Sequence, residues 1–285
     1  MNKIKLKQML EQFFIEDIGE RDITSDLLFD SDSSGEVSFI AKAEGIFAGR
    51  SVIEEGFRLM DQGADISVFV RDGDHIGAGE VLASVYGNMG ALLKGERVIL
   101  NLVQRMSGIA TNARRASDRM KGSGIKVCDT RKTTPGLRMI EKYAVTCGGA
   151  YNHRMGLSDS VMIKDNHISF AGSITAAVQK IKAKIGHTVK IEVETESYEE
   201  VAEAVAAGAD IIMLDNMTPQ LMKECAALIP QGIIIEASGG ITLDNLADYR
   251  DTGVDVISLG YLTHSVQALD ISAKAAVNKV RESYQ

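Results

Sequence analysis

The chain has 285 residues, with 31 Lys or Arg against 39 Asp or Glu, so its formal net charge is −8 at pH 7. A chain of this length, 45% hydrophobic and 25% charged, can bury a sizeable core, which excludes global disorder. The acidic balance argues against nucleic acid as the main partner. We expect no membrane segment, because no uncharged apolar run approaches the roughly 18 residues that a membrane helix needs.

The N-terminus and the cysteines predict a cytoplasmic protein. The short apolar stretch at the N-terminus is interrupted by Lys, Glu and Gln, unlike a signal peptide. Three cysteines stand far apart without a C-x-x-C motif, which argues against disulfides or zinc and favours a reducing compartment.

The first part of the chain predicts a helix-and-sheet sandwich over residues 1–110. Short strand-like runs at 36–42, 66–70 and 80–86 lie between glycines. Two helical patterns frame them, one near the N-terminus and one at 95–106, where apolar residues recur at helical spacing.

Residues 111–264 predict an α/β domain with parallel strands. Apolar strand candidates alternate with helical patterns at 197–207, 220–228 and 243–250. About seven such units favour a (β/α) barrel over an open sheet. The strand candidates cover 125–128, 145–150, 161–163, 189–193, 211–214, 233–235 and 256–259.

The C-terminal residues 265–285 predict a last helix that joins the N-terminal domain. Its apolar face would carry residues at helical spacing. These residues are Val266, Leu269, Ala273, Val277 and Val280.

Most predicted strands of the second domain end in polar or charged residues. Reactive groups of (β/α) barrels come from the carboxyl ends of strands, so a ring of such endings predicts an active site. The cationic stretch 126–164 suits an anionic substrate, because Arg matches carboxylate oxygens bidentately. The acidic stretch 192–215 suits sugar hydroxyls or a divalent metal such as Mg²⁺.

Two glycine loops near the end of the second domain favour a phosphate site. Ser238, Gly239 and Gly240 follow one predicted strand, and Gly260 follows the next. Glycine lets backbone N–H groups approach a phosphate, and barrels often bind phosphate in their last two loops.

Five motifs in chain order give the sequence a close resemblance to the quinolinate phosphoribosyltransferase family, over essentially the whole chain. The motifs are DTRKTTPGLR at 129–138, NHRMG at 152–156, IKDNH at 163–167, IMLDN at 212–216 and EASGG at 236–240. The resemblance implies an N-terminal sandwich and a C-terminal open barrel-like domain. It also implies the conversion of quinolinate and phosphoribosyl pyrophosphate into nicotinate mononucleotide, pyrophosphate and CO2, with Mg²⁺ as cofactor, in de novo NAD synthesis.

The resemblance also implies roles for individual residues. The two quinolinate carboxylates would be bound by Arg131, His153, Arg154 and Lys164. Lys132 would meet pyrophosphate, and either Lys132 or Lys164 would protonate the ring after decarboxylation. Glu194 and Asp215 would face the ribose and its metal, with Glu192 as an alternative to Glu194. The 5′-phosphate would be bound by Ser238, Gly239, Gly240 and Gly260.

The family works as a homodimer or as larger assemblies such as a hexamer of dimers. By resemblance, Arg97 would reach the active site of the neighbouring subunit.

Three other hypotheses remain open at this stage. One is the transport-linked paralogue of the same family, which the intact set of cations disfavours. The second is a Schiff-base aldolase with Lys164 as nucleophile. The third is a regulatory barrel that binds sugar phosphates without turnover.

Overall fold

The computed structural model describes residues 1–276, and these residues form two compact units. The first unit contains residues 1–111 together with the chain from residue 266, and the second contains residues 112–265. Within the described residues, none of the helices combines the length and apolar composition that a membrane span requires.

The first unit is built around a four-stranded antiparallel sheet in the order β12-β1-β5-β3. On the central strand β1, Val37, Phe39 and Ala41 alternate with more exposed residues, the period of a strand with one buried face. The elements are α1 (Lys3–Ile18), α2 (Ile23–Leu28), β1 (Ser34–Ala41), β2 (Gly45–Ile46), α3 (Arg50–Met60), β3 (Asp65–Val68), β4 (His75–Ile76), β5 (Val81–Asn88), α4 (Met89–Met120) and β12 (Ile271–Ala276). The last nine residues of α4 belong to the second unit.

The predicted helix at 265–285 is wrong for residues 271–276. These residues form β12, which pairs antiparallel with β1 from Ala41↔Ile271 to Glu36↔Ala276. Leu269 and Ala273 have helical spacing in the sequence, but Ile271 is the better-buried residue and the unpaired edge of β1 supplies the hydrogen bonds. The rest of the predicted helix, with Val277 and Val280, lies outside the described residues.

The second unit contains a six-stranded parallel sheet in the order β6-β11-β10-β9-β8-β7. This cyclic order is that of a (β/α) barrel left open between β6 and β7, where Cys128 and Tyr151 make a single parallel bridge. Its elements are β6 (Lys126–Cys128), α5 (Arg138–Cys147), β7 (Val161–Ile163), α6 (Asp165–Ala171), α7 (Ile174–Lys182), β8 (Ile191–Thr195), α8 (Tyr198–Ala207), β9 (Ile211–Asp215), α9 (Pro219–Ala226), β10 (Ile234–Ser238), β11 (Val256–Ser258) and α10 (Tyr261–His264), with a 3₁₀ turn at Leu246–Tyr249.

Local signals explain where several helices of this unit begin. The side chains of Ser173, Ser197 and Thr218 accept hydrogen bonds from backbone N–H groups of the first turns of α7, α8 and α9. Pro219 occupies the first turn of α9, where no donor is needed.

The weak strand predicted at 145–150 is wrong, because α5 continues to Cys147. Ile140, Ala144 and Val145 are buried on one face of this helix. A short apolar run does not distinguish a strand from a buried helix segment.

Candidate active site

A cavity of about 320 Å³ lies at the carboxyl ends of the parallel strands of the second unit. Each neighbouring strand or the loop after it contributes at least one polar side chain, which is the usual arrangement of active sites in barrel folds. The lining residues are Thr130, Arg131, Lys132, His153, Arg154, Met162, Lys164, Glu194, Met213, Asp215, Ser238 and Ser258.

Cations dominate one side of this cavity. Burial and the nearby charge of Arg131 lower the pKa of Arg154, which shows that the two guanidinium groups repel each other. The Nε atom of Arg131 is buried without a hydrogen-bond partner among residues 1–276. A bound anion would relieve both costs, since buried donors are normally satisfied.

The acidic side chains lie opposite, on β8 and β9. Glu194 lines the cavity and forms an ion pair with Lys164, while Glu192 lies deeper and is buried. Successive residues of a strand alternate between faces, so residues 192 and 194 point to the same side at different depths. The cavity is therefore lined by Glu194, with Asp215 on the neighbouring strand.

A strained turn holds Asp215 beside Ser238. Asn216 has φ of 55°, the only positive value among non-glycine residues in the described chain. Its backbone N–H donates to the carbonyl of Ser238 at 3.1 Å, and its side-chain nitrogen donates to Asp215 at 2.8 Å. Such a conformation persists only where its surroundings over-determine it, and it is frequent at functional sites.

Gly239 is required by this turn. It has φ of +83°, and a Cβ atom there would stand 2.5 Å from the amide nitrogen of Asn216. Gly240 also has a positive φ, of +62°, but a Cβ atom there would meet nothing within 4 Å. Alanine would therefore strain the backbone at both positions, but it would also clash with Asn216 at position 239.

We expect Gly239→Ala to be much more damaging than Gly240→Ala. Both substitutions place alanine in a left-handed conformation at a cost of about 1–2 kcal/mol, but only Gly239→Ala displaces Asn216 and with it Asp215. Urea denaturation should show the larger loss of stability for Gly239→Ala. Equal effects of both substitutions would contradict the steric argument.

Gly260 makes room for Lys132. A Cβ atom at position 260 would stand 2.9 Å from Cδ of Lys132. The hydroxyl of Thr263 donates to the carbonyl of Lys132 at 2.9 Å, and the backbone N–H of Lys132 donates to Thr130. These contacts hold the loop after β6 against the start of α10.

A buried ion pair supports the cationic loop from below. Lys142 on α5 donates to Asp129 at the end of β6, and neither side chain is exposed. Asp129 also accepts from the backbone N–H of His153 at 2.8 Å, and Asn152 reaches its second oxygen when its amide nitrogen points inward. This network connects the loop of Arg131 with the segment that carries His153.

The ring of His153 is held by protein groups at both nitrogens. Its Nδ1 accepts from the backbone N–H of Arg154 at 2.7 Å. Its Nε2 lies 3.2 Å from Glu192 and 3.6 Å from Glu236. The resemblance assigns this residue to the quinolinate pocket; its ring lines the cavity, and a substrate carboxylate that bound to Nε2 would have to displace Glu192.

The structure brings together most, but not all, of the predicted site residues. Those that line the cavity are Arg131, Lys132, His153, Arg154, Lys164, Glu194, Asp215 and Ser238. Gly239, Gly240 and Gly260 adjoin lining residues without lining the cavity themselves, and Arg97 lies in the first unit on α4.

Three residues of the predicted cationic stretch serve other purposes. Lys126 stacks over the ring of Tyr151, Arg138 donates to Thr133 and Met155, and Lys142 is the buried partner of Asp129. The sequence placed Asp129 and Glu236 among the polar strand endings and Lys142 in the cationic stretch, but it assigned none of them a role in the site. Asp129 and Glu236 begin two of the recognised motifs, and this was the available signal.

The second unit has a parallel sheet with cations and acids clustered at the carboxyl ends of its strands. This arrangement is typical of barrel-like enzyme domains, and the cations suit an anionic substrate. Comparison with known proteins then gives the family. The quinolinate phosphoribosyl transferase N-terminal domain matches residues 22–107, and the C-terminal domain of the same family matches residues 109–274. The chain belongs to the quinolinate phosphoribosyl transferase family.

Individual relatives agree over almost the whole chain. A probable nicotinate-nucleotide pyrophosphorylase (carboxylating) from Bacillus subtilis is 54% identical over 272 residues, covering 95% of this chain and 94% of the relative. Its counterpart from Synechocystis is 44% identical, covering 94% and 92%. The crystal structure of NadC from Streptococcus pyogenes superposes with a TM-score of 0.93 at 38% identity, covering 98% of this chain and 99% of that one.

Proposed function

We propose that this protein transfers the phosphoribosyl group of phosphoribosyl pyrophosphate to quinolinate, with loss of CO2, and so forms nicotinate mononucleotide and pyrophosphate. The observation that carries the proposal is the cavity, where two guanidinium groups and two lysines face two carboxylates across the ends of parallel strands. A substrate with two carboxylates needs such a concentration of cations. The reaction belongs to the de novo synthesis of NAD.

The cationic side would bind quinolinate. Arg131, Arg154 and Lys164 are the groups for its two carboxylates, and the unsatisfied Nε of Arg131 is ready to donate to one of them. The pair Lys164–Glu194 must loosen when a substrate carboxylate takes its place beside the ammonium group. The binding step therefore exchanges one ion pair for another inside the cavity.

The acidic side would face the ribose. Departure of pyrophosphate leaves positive charge on the sugar ring, and the carboxylates of Glu194 and Asp215 stabilise it electrostatically. The pyridine nitrogen then attacks the anomeric carbon, helped by the fixed positions of both substrates. Ser238, Gly239, Gly240 and Gly260 would bind the 5′-phosphate, with backbone N–H groups approaching where side chains are absent.

Decarboxylation follows from the charge that the alkylated ring carries. The electron pair left behind when CO2 departs stays on the ring carbon, where the adjacent positive nitrogen stabilises it, and that carbon then takes up a proton. Lys132 and Lys164 are the two ammonium groups that line the cavity, and one of them would supply it.

Mg²⁺ is the proposed cofactor. Oxygen atoms of carboxylates suit this hard cation, and the cavity offers them at Glu194 and Asp215. The ion would enter on the pyrophosphate, with these side chains nearby, and would neutralise charge on the leaving group. We place the enzyme in the cytoplasm, since its three cysteines are odd in number, far apart in sequence and without a C-x-x-C motif.

A turnover assay tests the function. Quinolinate, phosphoribosyl pyrophosphate and Mg²⁺ are expected to give nicotinate mononucleotide and CO2 in equal amounts, whereas nicotinate is expected to give no product. Binding of both substrates without turnover would instead indicate the regulatory barrel. Absence of product from a folded dimer would favour the transport-linked paralogue.

We further propose a homodimer, or a hexamer of dimers, in which Arg97 completes the neighbouring active site. Its guanidinium lies 3.8 Å from Glu96, and 61% of its side chain is exposed. An exposed cation on the first unit can reach a second copy of the chain without rearrangement of its own helix.

Mixing Arg97→Ala with Lys164→Ala is expected to restore activity after subunit exchange. Half of the dimers would then be mixed, and one of the two sites in each would be intact, so that about a quarter of wild-type activity returns. The controls are each variant exchanged with itself. Lack of recovery despite exchange proven by mass spectrometry would contradict the role across the interface.

A further inference from the structure

Two buried carboxyl groups stand below the cavity without a place in the mechanism above. Glu192 on β8 and Glu236 on β10 are 1% and 4% exposed. One oxygen of each lies within 4.8 Å of the other and of Nε2 of His153. Oε1 of Glu236 has no hydrogen-bond partner among the described residues, although it faces this nitrogen at 3.6 Å. Buried acids of this kind are costly and call for an explanation.

The hydrogen bonds argue against a metal ion between these three side chains. A metal at Nε2 of His153 would need the lone pair of that nitrogen, while the N–H of Arg154 already uses the lone pair of Nδ1. The ring would then carry no proton and would be an imidazolate, which is strongly disfavoured. The cluster is therefore suited to a proton on Nε2.

The same hydrogen bonds select one tautomer of the ring. With the N–H of Arg154 pointing at Nδ1, the ring proton belongs on Nε2, where Glu192 accepts it. Burial of the ring lowers the pKa of His153, and the hydrogen bond to Glu192 with the charge of Glu236 raises it by more. The Arg154 amide opposes a second proton, since that proton would have to occupy Nδ1. The hydrogen bonds of this structure require the neutral tautomer.

Burial next to Glu192 explains how two acids can share this space. It raises the pKa of Glu236 to about 7, so this group is protonated in a large fraction of molecules at neutral pH. The other charged groups nearby are Asp129 and Lys142, which pair with each other. The cluster thus needs only the carboxylate of Glu192 as acceptor for His153.

We propose that Glu192 is a positioning residue, which holds the His153 ring so that its Nδ1 fixes the main chain at Arg154. This inference rests on the role proposed above for Arg154 in binding quinolinate. The guanidinium of Arg154 donates to the carbonyl of Ser160 at 3.1 Å and reaches Sδ of Met162 at 3.5 Å. With its backbone held by His153, the side chain has anchors at both ends, and its charge is aimed into the cavity.

Two substitutions at position 153 separate the two nitrogens. The amide oxygen of His153→Asn can stand near the place of Nδ1 and still accept from Arg154. The amide nitrogen of His153→Gln can stand near the place of Nε2 and still donate to Glu192, but it leaves the Arg154 N–H without an acceptor. We expect KM for quinolinate to rise about tenfold in His153→Gln, as for one lost hydrogen bond. The rise in His153→Asn is expected to be at most about threefold.

Glu192→Leu and Glu192→Gln test the acid below the ring. The leucine removes the acceptor for Nε2–H, whereas the amide oxygen of glutamine can still accept. KM for quinolinate should therefore rise more in Glu192→Leu, and KM for phosphoribosyl pyrophosphate should change in neither. ¹⁵N NMR of the histidine rings gives a readout independent of activity: at pH 7 wild-type His153 is expected to carry its proton on Nε2 alone, and Glu192→Leu to show a mixture of tautomers.

Several results would overturn the inference. These are a proton on Nδ1 of His153 in the wild type, equal effects of His153→Asn and His153→Gln, or a parallel rise in KM for both substrates. Arg154→Ala distinguishes a failure of the proposed function from a failure of the positioning inference. If it leaves KM for quinolinate unchanged, the role of Arg154 is wrong and the positioning of its main chain has no functional consequence. If only Arg154→Ala raises KM, the substrate site stands and the positioning inference is wrong.

Discussion

Replacing Arg131 with alanine is expected to abolish quinolinate binding while phosphoribosyl pyrophosphate still binds. The guanidinium lines the cavity, its Nε is buried without a partner in the described chain, and it repels its neighbour Arg154. A substrate carboxylate is the group that satisfies both conditions. Each hydrogen bond to a charged group contributes about 1.5–3 kcal/mol, so we expect the Kd for quinolinate to rise about 100-fold or more.

Isothermal titration calorimetry measures the Kd for each substrate separately and so checks that only quinolinate binding is lost. Arg131→Lys keeps the charge but not the planar fork, and it should recover only part of the affinity. Arg71→Ala removes the same charge from an exposed position in the first unit and is the matched control. An equal loss of affinity for both substrates in Arg131→Ala would contradict a specific role in binding quinolinate.

The strands of the second unit could be predicted because each is a short apolar run that ends at a polar residue. The predicted strand at 161–163 has the same bounds as β7. The predicted strands at 211–214 and 233–235 correspond to β9 and β10, with bounds that differ by a few residues. Parallel strands place such endings at one edge, so the sequence also predicted which side chains would meet there. Eight of the predicted site residues line one cavity for this reason.

What could not be predicted depends on partners distant in sequence. The helical spacing over 266–280 includes Ala273, but the segment 271–276 forms a strand because it pairs with the edge of β1. Lysine is usually a surface residue, and Lys142 lies in a cationic stretch of the sequence, yet its side chain is buried against Asp129. Glu192 and Glu194 lie two residues apart on β8, and their side chains point to the same face of the strand. Glu194 is nearer the carboxyl end of the strand and lines the cavity, whereas Glu192 is buried below it. Local patterns carry no information on these long-range contacts.

The second large effect is expected for Lys142→Met. This substitution leaves Asp129 buried without its cation, while its remaining donors are the N–H of His153 and the amide of Asn152. Breaking a buried pair by removing one partner typically costs about 3–5 kcal/mol. Urea denaturation at pH 7 should show a loss of stability in this range. Lys126→Met is the matched control, because the side chain of Lys126 is exposed and lies over the ring of Tyr151 at 5.3 Å.

The loss should depend on pH in a defined direction. Burial raises the pKa of Asp129 above its ordinary value, and the hydrogen bond to Lys142 opposes this rise. Without Lys142 the folded-state pKa moves further up, so the folded state binds a proton that the unfolded state releases. Stability then falls as the pH rises from about 4 through the folded-state pKa. The penalty of Lys142→Met should therefore be smaller at pH 5 than at pH 8.

Adding Asp129→Asn to Lys142→Met tests the cause of the penalty. The amide needs no cation and can still accept from the N–H of His153, so the double variant should be more stable than Lys142→Met at pH 8. At pH 5, where a larger fraction of the buried acid is protonated, the advantage should shrink. If the double variant is no more stable at either pH, the penalty comes from lost packing of the lysine chain, and the buried charge of Asp129 is not its cause. If the advantage appears only at high pH, the buried charge of Asp129 is the cause of the penalty.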